Sequence, residues 1–221
     1  MAKKTHLIQP SQVEQAAERK EKENRRFCSF LKGHADPDTL DRQFLELHKQ
    51  IFPRYDCSQC RNCCKLLHAE IPTWEVDRNA AHLNMTREEF IAKHLIQGDF
   101  GEWTEKHLPC GFLAEDGECR LGDCRPDSCK KFPYTDQPER LFSLHSILNA
   151  VSVCPAAYEI LEALKLVYDF DSYCRRKRRS YRLLESNLGN LFIVDDISPE
   201  YPCAIWDENE EDDTLPEDLP F

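Results

Sequence analysis

Four cysteines within eight residues are the part of this sequence most able to do chemistry. They are spaced C-x2-C-x2-C-C, at Cys57, Cys60, Cys63 and Cys64. Thiolates three residues apart on a short turn can surround one metal centre from one side. A second group follows later in the chain, at Cys110, Cys119, Cys124, Cys129 and Cys154. The pattern predicts a bound metal ion or iron–sulfur cluster, although it names no reaction.

The spacing favours an iron–sulfur cluster over zinc, without excluding zinc. In ferredoxins a C-x2-C-x2-C run supplies three cluster ligands, and a cysteine before proline supplies another. The first group has this spacing, and Cys154 precedes Pro155, so it is a candidate remote ligand for a cluster such as [4Fe–4S]. Four thiolates also form tetrahedral structural zinc sites. Such sites more often use two C-x2-C-like pairs, and only the first group has that spacing.

The sequence does not decide how the thiols divide between one centre and two. We predict one shared centre, with the ligands Cys57, Cys60, Cys63 and Cys154. The remaining candidates form a second site or complete the first: Cys64, Cys110, Cys119 and Cys129.

Three residues near these cysteines have uncertain roles. Adjacent residues seldom bind one ion without strain, so Cys64 faces a second centre or is a spare, reactive thiol. His68 and His107 lie near cysteines and are possible ligands. A lone histidine, however, is more often an ordinary hydrogen-bonding residue.

Cysteine usage and the N-terminus predict a reducing compartment. The chain has twelve cysteines among 221 residues, and its first residues contain no apolar signal segment. No later run approaches the roughly 18 apolar residues of a membrane span. We therefore expect a cytoplasmic protein without membrane contact, in which thiols bind metal more often than they form disulfides.

The net charge of −11 comes from the C-terminal end. Eleven acidic residues lie between Val194 and Phe221, and no Lys or Arg follows Arg182, so residues 1–193 carry no net charge. A neutral body argues against a nucleic-acid partner, which selects a basic face. A protein partner is conceivable for the acidic tail or for the basic run at 175–182.

Helices are predicted over most of the chain. One predicted helix is capped by Asp36 and ends before Pro53. A second predicted helix is capped by Thr73 and continues to Leu83. Thr86 and Glu89 form a capping box for a helix that stops at Gly98. The stretch 103–120 is predicted as a small hairpin or an irregular β-like segment. Residues 156–186 are predicted as one continuous helix.

These elements predict a mainly α, small, loop-rich fold with a short β-hairpin, organised around a cysteine-bound metal centre. The organisation expected is an N-terminal helical segment (1–54), a cysteine-cluster metal-binding domain (55–160), a C-terminal helix and connection (161–194), and an acidic, disordered tail (195–221).

Several short motifs together resemble the YkgJ-like cysteine-cluster family, the zinc- or iron-chelating CxxCxxCC proteins. The resemblance spans about residues 55–160 and is carried by Cys57–Cys64, the paired helices ending in Glu-Glu-Phe, Pro109–Leu113, Gly117–Cys119, Arg125-Pro126 with Cys129 and Phe132-Pro133, and Cys154-Pro155. It implies a shared set of eight cysteines: Cys57, Cys60, Cys63, Cys64, Cys110, Cys119, Cys129 and Cys154. Cys28, Cys124, Cys174 and Cys203 fall outside that set. The chain has Ala156 where the family commonly has glycine.

Three functions are consistent with these observations. The first is a metalloprotein with an iron–sulfur cluster or a zinc or iron ion, acting in redox chemistry or metal handling. The second is a zinc-stapled module for protein interaction. The third, implied only by the resemblance, is an enzyme related to flagellin lysine N-methylases, although the chain has no G-x-G-x-x-G loop to bind a dinucleotide. The sequence does not decide whether the protein is an enzyme.

Overall fold

The computed structural model describes residues 7–176. The chain divides into two compact units, residues 1–165 and 166–221. Within the described residues the fold is mainly helical with one small sheet, which confirms the predicted fold class. The predicted acidic tail and most of the basic run before it lie outside the described residues.

Three helices precede the cysteine motif: α1 (Val13–Arg19), α2 (Glu21–His34) and α3 (Pro37–Ile51). The predicted cap of α3 is confirmed, because the Asp36 side chain accepts a hydrogen bond from the backbone N–H of Thr39 and Pro37 occupies the first turn. Leu40, Phe44 and Ile51 of its apolar stripe are buried. A 3-10 turn, Phe52–Arg54, then carries the chain to the cysteines.

The middle of the chain is built from short elements around a small sheet. Its helices are α4 (Cys57–Cys60), α5 (Asn62–Leu66), α6 (Thr73–His82), α7 (Arg87–His94) and α8 (Asp127–Lys131). The strands β1 (Glu70–Ile71), β2 (Leu95–Gln97) and β3 (Trp103–Glu105) form an antiparallel sheet in the order β1-β3-β2. The hairpin of this sheet, β2–β3, begins earlier in the chain than the predicted stretch 103–120. Within that stretch only Trp103–Glu105 is a strand, and Leu113 and Cys119 form an isolated antiparallel bridge. The third strand, β1, comes from beside the cysteine motif.

Two helix predictions in this region need correction. The capping box of Thr86 and Glu89 is present, but α7 ends at His94 instead of Gly98, because residues 95–97 pair with β3. Thr73 was predicted to cap α6, but it is the first residue of the helix, and no side chain caps the helix. Sheet pairing, which is a tertiary interaction, overrides the local stop signal of a glycine.

A small apolar core holds this region together. Its buried residues come from β1, α6, α7, β2 and the loops after β3: Ile71, Val76, Ala80, Phe90, Leu95, Phe112 and Leu121. Phe112 stacks on Phe90 with ring centroids 5.7 Å apart. Cys110 and Cys119 pack against the same core, so the core directly supports two of the predicted metal ligands.

Two further helices follow, α9 (Leu144–Val151) and α10 (Pro155–Val167). Helix α9 packs against α1 and α2. The predicted continuous helix over 156–186 is wrong, since α10 ends at Val167 and Asp169 adopts a positive φ of 45°. Asp tolerates that conformation without the glycine that usually marks it. Residues 170–176 are helical again, and the remainder lies outside the described range. No helix in the described part is long and apolar enough to cross a membrane.

Candidate metal centre

The C-x2-C-x2-C-C motif does not form one continuous turn; it forms two short helices. Cys57 and Cys60 belong to α4, which Asp56 caps by accepting a hydrogen bond from the N–H of Ser58. Cys63 and Cys64 belong to α5. Between them Arg61 adopts the left-handed conformation, with φ 52° and ψ 18°. The chain changes direction there, so the two pairs of cysteines are presented separately.

Arg61 is held in this strained conformation by its side chain. The residue is only 8% exposed. Its guanidinium forms an ion pair with Glu118 at 2.9 Å, and its Nε donates to the carbonyl oxygen of Ser58 at 3.2 Å. Glu118 directly precedes Cys119, so this ion pair ties the motif to the segment that carries a later cysteine.

Cys110 is positioned by the main chain. Its N–H donates to the carbonyl oxygen of Cys64 at 2.8 Å. Cys119 is positioned by an antiparallel bridge to Leu113, closed by a turn in which Gly117 has a φ of 85°. Backbone contacts thus fix both residues.

Cys129 is positioned by a buried carboxylate. Glu75 of α6 is completely buried, and it accepts a hydrogen bond from the N–H of Asp127, the first residue of α8. Arg125 donates to the carbonyl oxygen of Cys129 at 2.6 Å. The short helix that carries Cys129 is therefore anchored at both its start and its middle.

Five of the eight predicted ligands line one cavity of about 270 Å³: Cys63, Cys64, Cys110, Cys119 and Cys129. They come from four separate stretches of the chain. Three aromatic residues, Phe112, Phe132 and Tyr134, contribute to the wall between them, together with aliphatic and polar residues. His68 also lines the cavity, and its Nδ1 is 2.8 Å from the carbonyl oxygen of Glu105.

The other three predicted ligands form a separate neighbourhood. Cys57, Cys60 and Cys154 do not line the cavity. Burial raises the pKa of Cys154 to about 11, although the backbone N–H groups of Ala157 and Ala156 at the start of α10 oppose the shift. Cys57 and Cys60 lie close enough for their charges to raise this pKa a little more.

Burial makes two of the cavity thiols hard to deprotonate. It raises the pKa of Cys110 to about 12. It also raises the pKa of Cys129, although a hydrogen bond from Ser128 and the charge of Arg125 oppose this shift. A metal ion removes such protons because it stabilises the thiolate directly, so metal binding here must release protons.

Cys63 and Cys64 share a hydrogen bond and behave differently. The bond raises the pKa of Cys63 and lowers the pKa of Cys64 to about 6. Arg61 and Arg125 also lower the pKa of Cys64, whereas burial opposes them. Of this pair, Cys64 is therefore the thiol that more readily gives the thiolate.

The remaining cysteines lie elsewhere. Cys28 is buried in α2, Cys124 lies in a 3-10 turn at Gly122–Cys124, and Cys174 lies in the second unit. Cys203 lies outside the described residues. No disulfide joins the cysteines of residues 7–176.

One group of potential ligands was missed by the sequence. His94, Glu105 and His107 each place a ligand atom within 4.8 Å of the others. Of these three residues, the sequence predicts only His107 as a possible metal ligand, because it lies near Cys110. The alternation Glu105-Lys106-His107 at the end of a strand puts the first and third side chains on one face, and that is the signal that could have found the pair.

Comparison with known proteins identifies the cysteine-bearing segment. Residues 56–155 match the model of the CxxCxxCC family, described as a putative zinc- or iron-chelating domain. The match confirms the resemblance predicted for this segment from the cysteine motifs and supports metal binding by the segment. No curated protein and no solved structure matches the chain significantly.

Proposed function

We propose that this protein is a redox metalloprotein whose cysteine cavity holds an iron–sulfur cluster. The observation that carries the proposal is the convergence of five thiols, from four stretches of the chain, on one cavity. Cysteine thiolates are the ligands that hold such clusters. The ligands proposed for this centre are Cys63, Cys64, Cys110 and Cys129, with Cys119 beside them.

The separation of the thiols supports a cluster over a single zinc ion. In a tetrahedral zinc site the ligand sulfurs lie roughly 3.8 Å apart, given Zn–S bonds of about 2.3 Å. No three cysteine sulfurs in residues 7–176 lie within 4.8 Å of one another. In a cluster the thiolates are bound by different iron atoms, so a wider arrangement is suitable.

The cavity also has a suitable size and lining. Its volume of about 270 Å³ exceeds the roughly 150 Å³ of a cavity that accepts benzene. Phe112 and Phe132 limit contact with water, and Arg61 and Arg125 offset negative charge near Cys64. When bound, a cluster would supply reversible one-electron transfer. The chain would hold its thiolates, exclude water and balance their charge.

Cys57, Cys60 and Cys154 are proposed as ligands of a separate centre or as remote ligands of the first. The prediction from sequence placed Cys63 with them. The hydrogen bond between Cys63 and Cys64, together with the lining of the cavity, favours placing Cys63 in the cavity group.

The test is metal and sulfide analysis of the full chain purified without oxygen. Wild type and Cys124→Ser should contain the same amounts of iron and acid-labile sulfide, and Cys129→Ser should lose the iron and sulfide of the cavity centre. Cys124 is the matched control, since it lies between Cys119 and Cys129 in sequence and does not line the cavity. Cys154→Ser should remove a separate fraction of the metal if there are two centres.

Stoichiometric zinc with no sulfide in these preparations would contradict the cluster and favour the zinc-stapled alternative. Equal iron content in Cys129→Ser and wild type would contradict the assignment of the cavity.

A further inference from the structure

A second group of metal-binding side chains lies outside the cysteine cavity. His94, Glu105 and His107 offer one imidazole nitrogen or carboxylate oxygen each, all within 4.8 Å of one another. Among residues 7–176 no other three His, Cys, Asp or Glu side chains meet in this way. None of the eight predicted cysteine ligands belongs to the group.

The main chain fixes the positions of these three residues. His94 is the last residue of α7 and Glu105 is the last residue of β3. Leu95, which follows His94, is paired with Glu105 in the sheet. The N–H of Lys106 donates to the carbonyl oxygen of His94 at 2.9 Å and extends that pairing by one step. His107 then follows two residues after Glu105, on the same side.

Two of the donors are already in contact and the third is not. The carboxylate of Glu105 is completely buried, and it accepts hydrogen bonds from the N–H of His107 at 2.8 Å and from its ring Nδ1 at 2.7 Å. His94 is 5% exposed, and its Nδ1 has no hydrogen-bond partner among the described residues. A buried unsatisfied nitrogen usually indicates a water or ion nearby.

Gly111 leaves the space that the group needs. A Cβ at this position would lie 2.7 Å from Oε1 of Glu105 and 3.0 Å from Nδ1 of His107. Only glycine lets the backbone approach the two donors this closely, so Glu105 and His107 keep their positions under the loop that follows Cys110.

We propose that His94, Glu105 and His107 bind a divalent transition-metal cation, zinc or ferrous iron, at a site that uses no cysteine. Two imidazoles and one carboxylate suit both metals. Zinc bound at about 2.0–2.1 Å to two donors in a tetrahedral site sets them roughly 3.3 Å apart. The 2.7 Å contact of Glu105 with His107 therefore needs only a small side-chain adjustment to admit the cation.

Three protein ligands leave coordination positions open, as in catalytic metal sites, where water or a substrate occupies the fourth position. The His107 side chain is 48% exposed, so the open side of the site is accessible to water and to exchanging metal. This proposal does not depend on the function proposed for the cysteine cavity.

The probe is Co²⁺ or Zn²⁺, added to the full chain after its cysteine centres have been loaded and excess metal removed. Wild type and His145→Ala, an exposed histidine on α9, should bind one further equivalent. In His107→Ala the dissociation constant for that equivalent should rise about 100-fold or more, because second-shell changes alone weaken metal sites by roughly 10–100-fold. Glu105→Gln should act similarly.

Three readouts separate this site from the cysteines. Cobalt bound here should lack the intense sulfur-to-metal charge-transfer absorption of a thiolate site. Histidine ¹H–¹⁵N spectra should show two imidazoles shifted by zinc in wild type. Cys129→Ser should still bind the cation at the histidine site.

Equal binding of the further equivalent by wild type and His107→Ala would overturn the proposal, as would thiolate absorption from all of the bound cobalt. A fall in melting temperature of His107→Ala with no change in metal binding would show that Glu105 and His107 are only a hydrogen-bonded pair. His107 is half-exposed, so its variant remains informative if Glu105→Gln fails to fold.

Discussion

Replacing Arg61 by glycine should harm the protein less than replacing it by alanine. Both changes remove the ion pair to Glu118 and the hydrogen bond to Ser58. They differ in the backbone, because Arg61 has a φ of 52°. Alanine keeps the strain that arginine already has in this left-handed conformation, whereas glycine relieves it.

The expected magnitudes follow from these contacts. Losing an ion pair whose Glu118 end is exposed and one charged hydrogen bond should cost about 2 kcal/mol together. Relief of the left-handed strain should return about 1 kcal/mol. Arg61→Ala should therefore destabilise the chain by about 2 kcal/mol and Arg61→Gly by about 1 kcal/mol.

Urea unfolding of the full chain, followed by circular dichroism at constant metal content, measures the difference. With an m-value of about 2 kcal/mol per molar, the two midpoints should differ by about 0.5 M. Arg42, in the interior of α3, is the matched control. There glycine should be worse than alanine by about 1 kcal/mol, so the order of the two variants reverses. If Arg61→Ala is as stable as Arg61→Gly, Arg61 is not held in the left-handed conformation.

Two further outcomes test the core and a buried thiol. Phe112→Ala should destabilise the chain by about 3–5 kcal/mol, and Phe112→Leu by much less, because Phe112 is 2% exposed and stacks on Phe90; equal urea midpoints for both variants would contradict this. Burial raises the pKa of Cys28 to about 12, so the folded chain holds this proton more tightly than the unfolded chain, and stability falls as the pH rises above the ordinary thiol pKa. Wild type should lose about 1.4 kcal/mol more than Cys28→Ala between pH 7 and pH 10, and parallel stability curves would show that Cys28 does not titrate in this way.

Local signals predicted the helices well where capping and apolar periodicity agree. The cap of α3 by Asp36 and the capping box of Thr86 with Glu89 depend on residues three apart, so the sequence contains them in full. The C-terminal end of α7 depends on pairing with β3, which is a contact between distant residues. A glycine at position 98 gave no information about that contact.

The candidate site was predicted in its residue types but not in its geometry. The cysteine spacing identified the thiols, and the family match supports metal binding. The grouping of the thiols depends on Arg61, because its left-handed conformation separates Cys60 from Cys63. A left-handed backbone conformation is expected at glycine, so the arginine at position 61 did not indicate the change of chain direction between Cys60 and Cys63. His94 and Glu105 are brought together by sheet register, which the sequence specifies only weakly over strands of three residues.

Three consecutive residues, Cys110, Gly111 and Phe112, each serve a different neighbour. The first lines the thiol cavity, the second lies against Glu105 and His107, and the third fills the apolar core. Since adjacent residues cannot move independently, one inserted or deleted residue in this loop would displace all three at once. The length of the loop is therefore constrained as strictly as its residue types, and metal binding at either proposed site should alter the packing of the core.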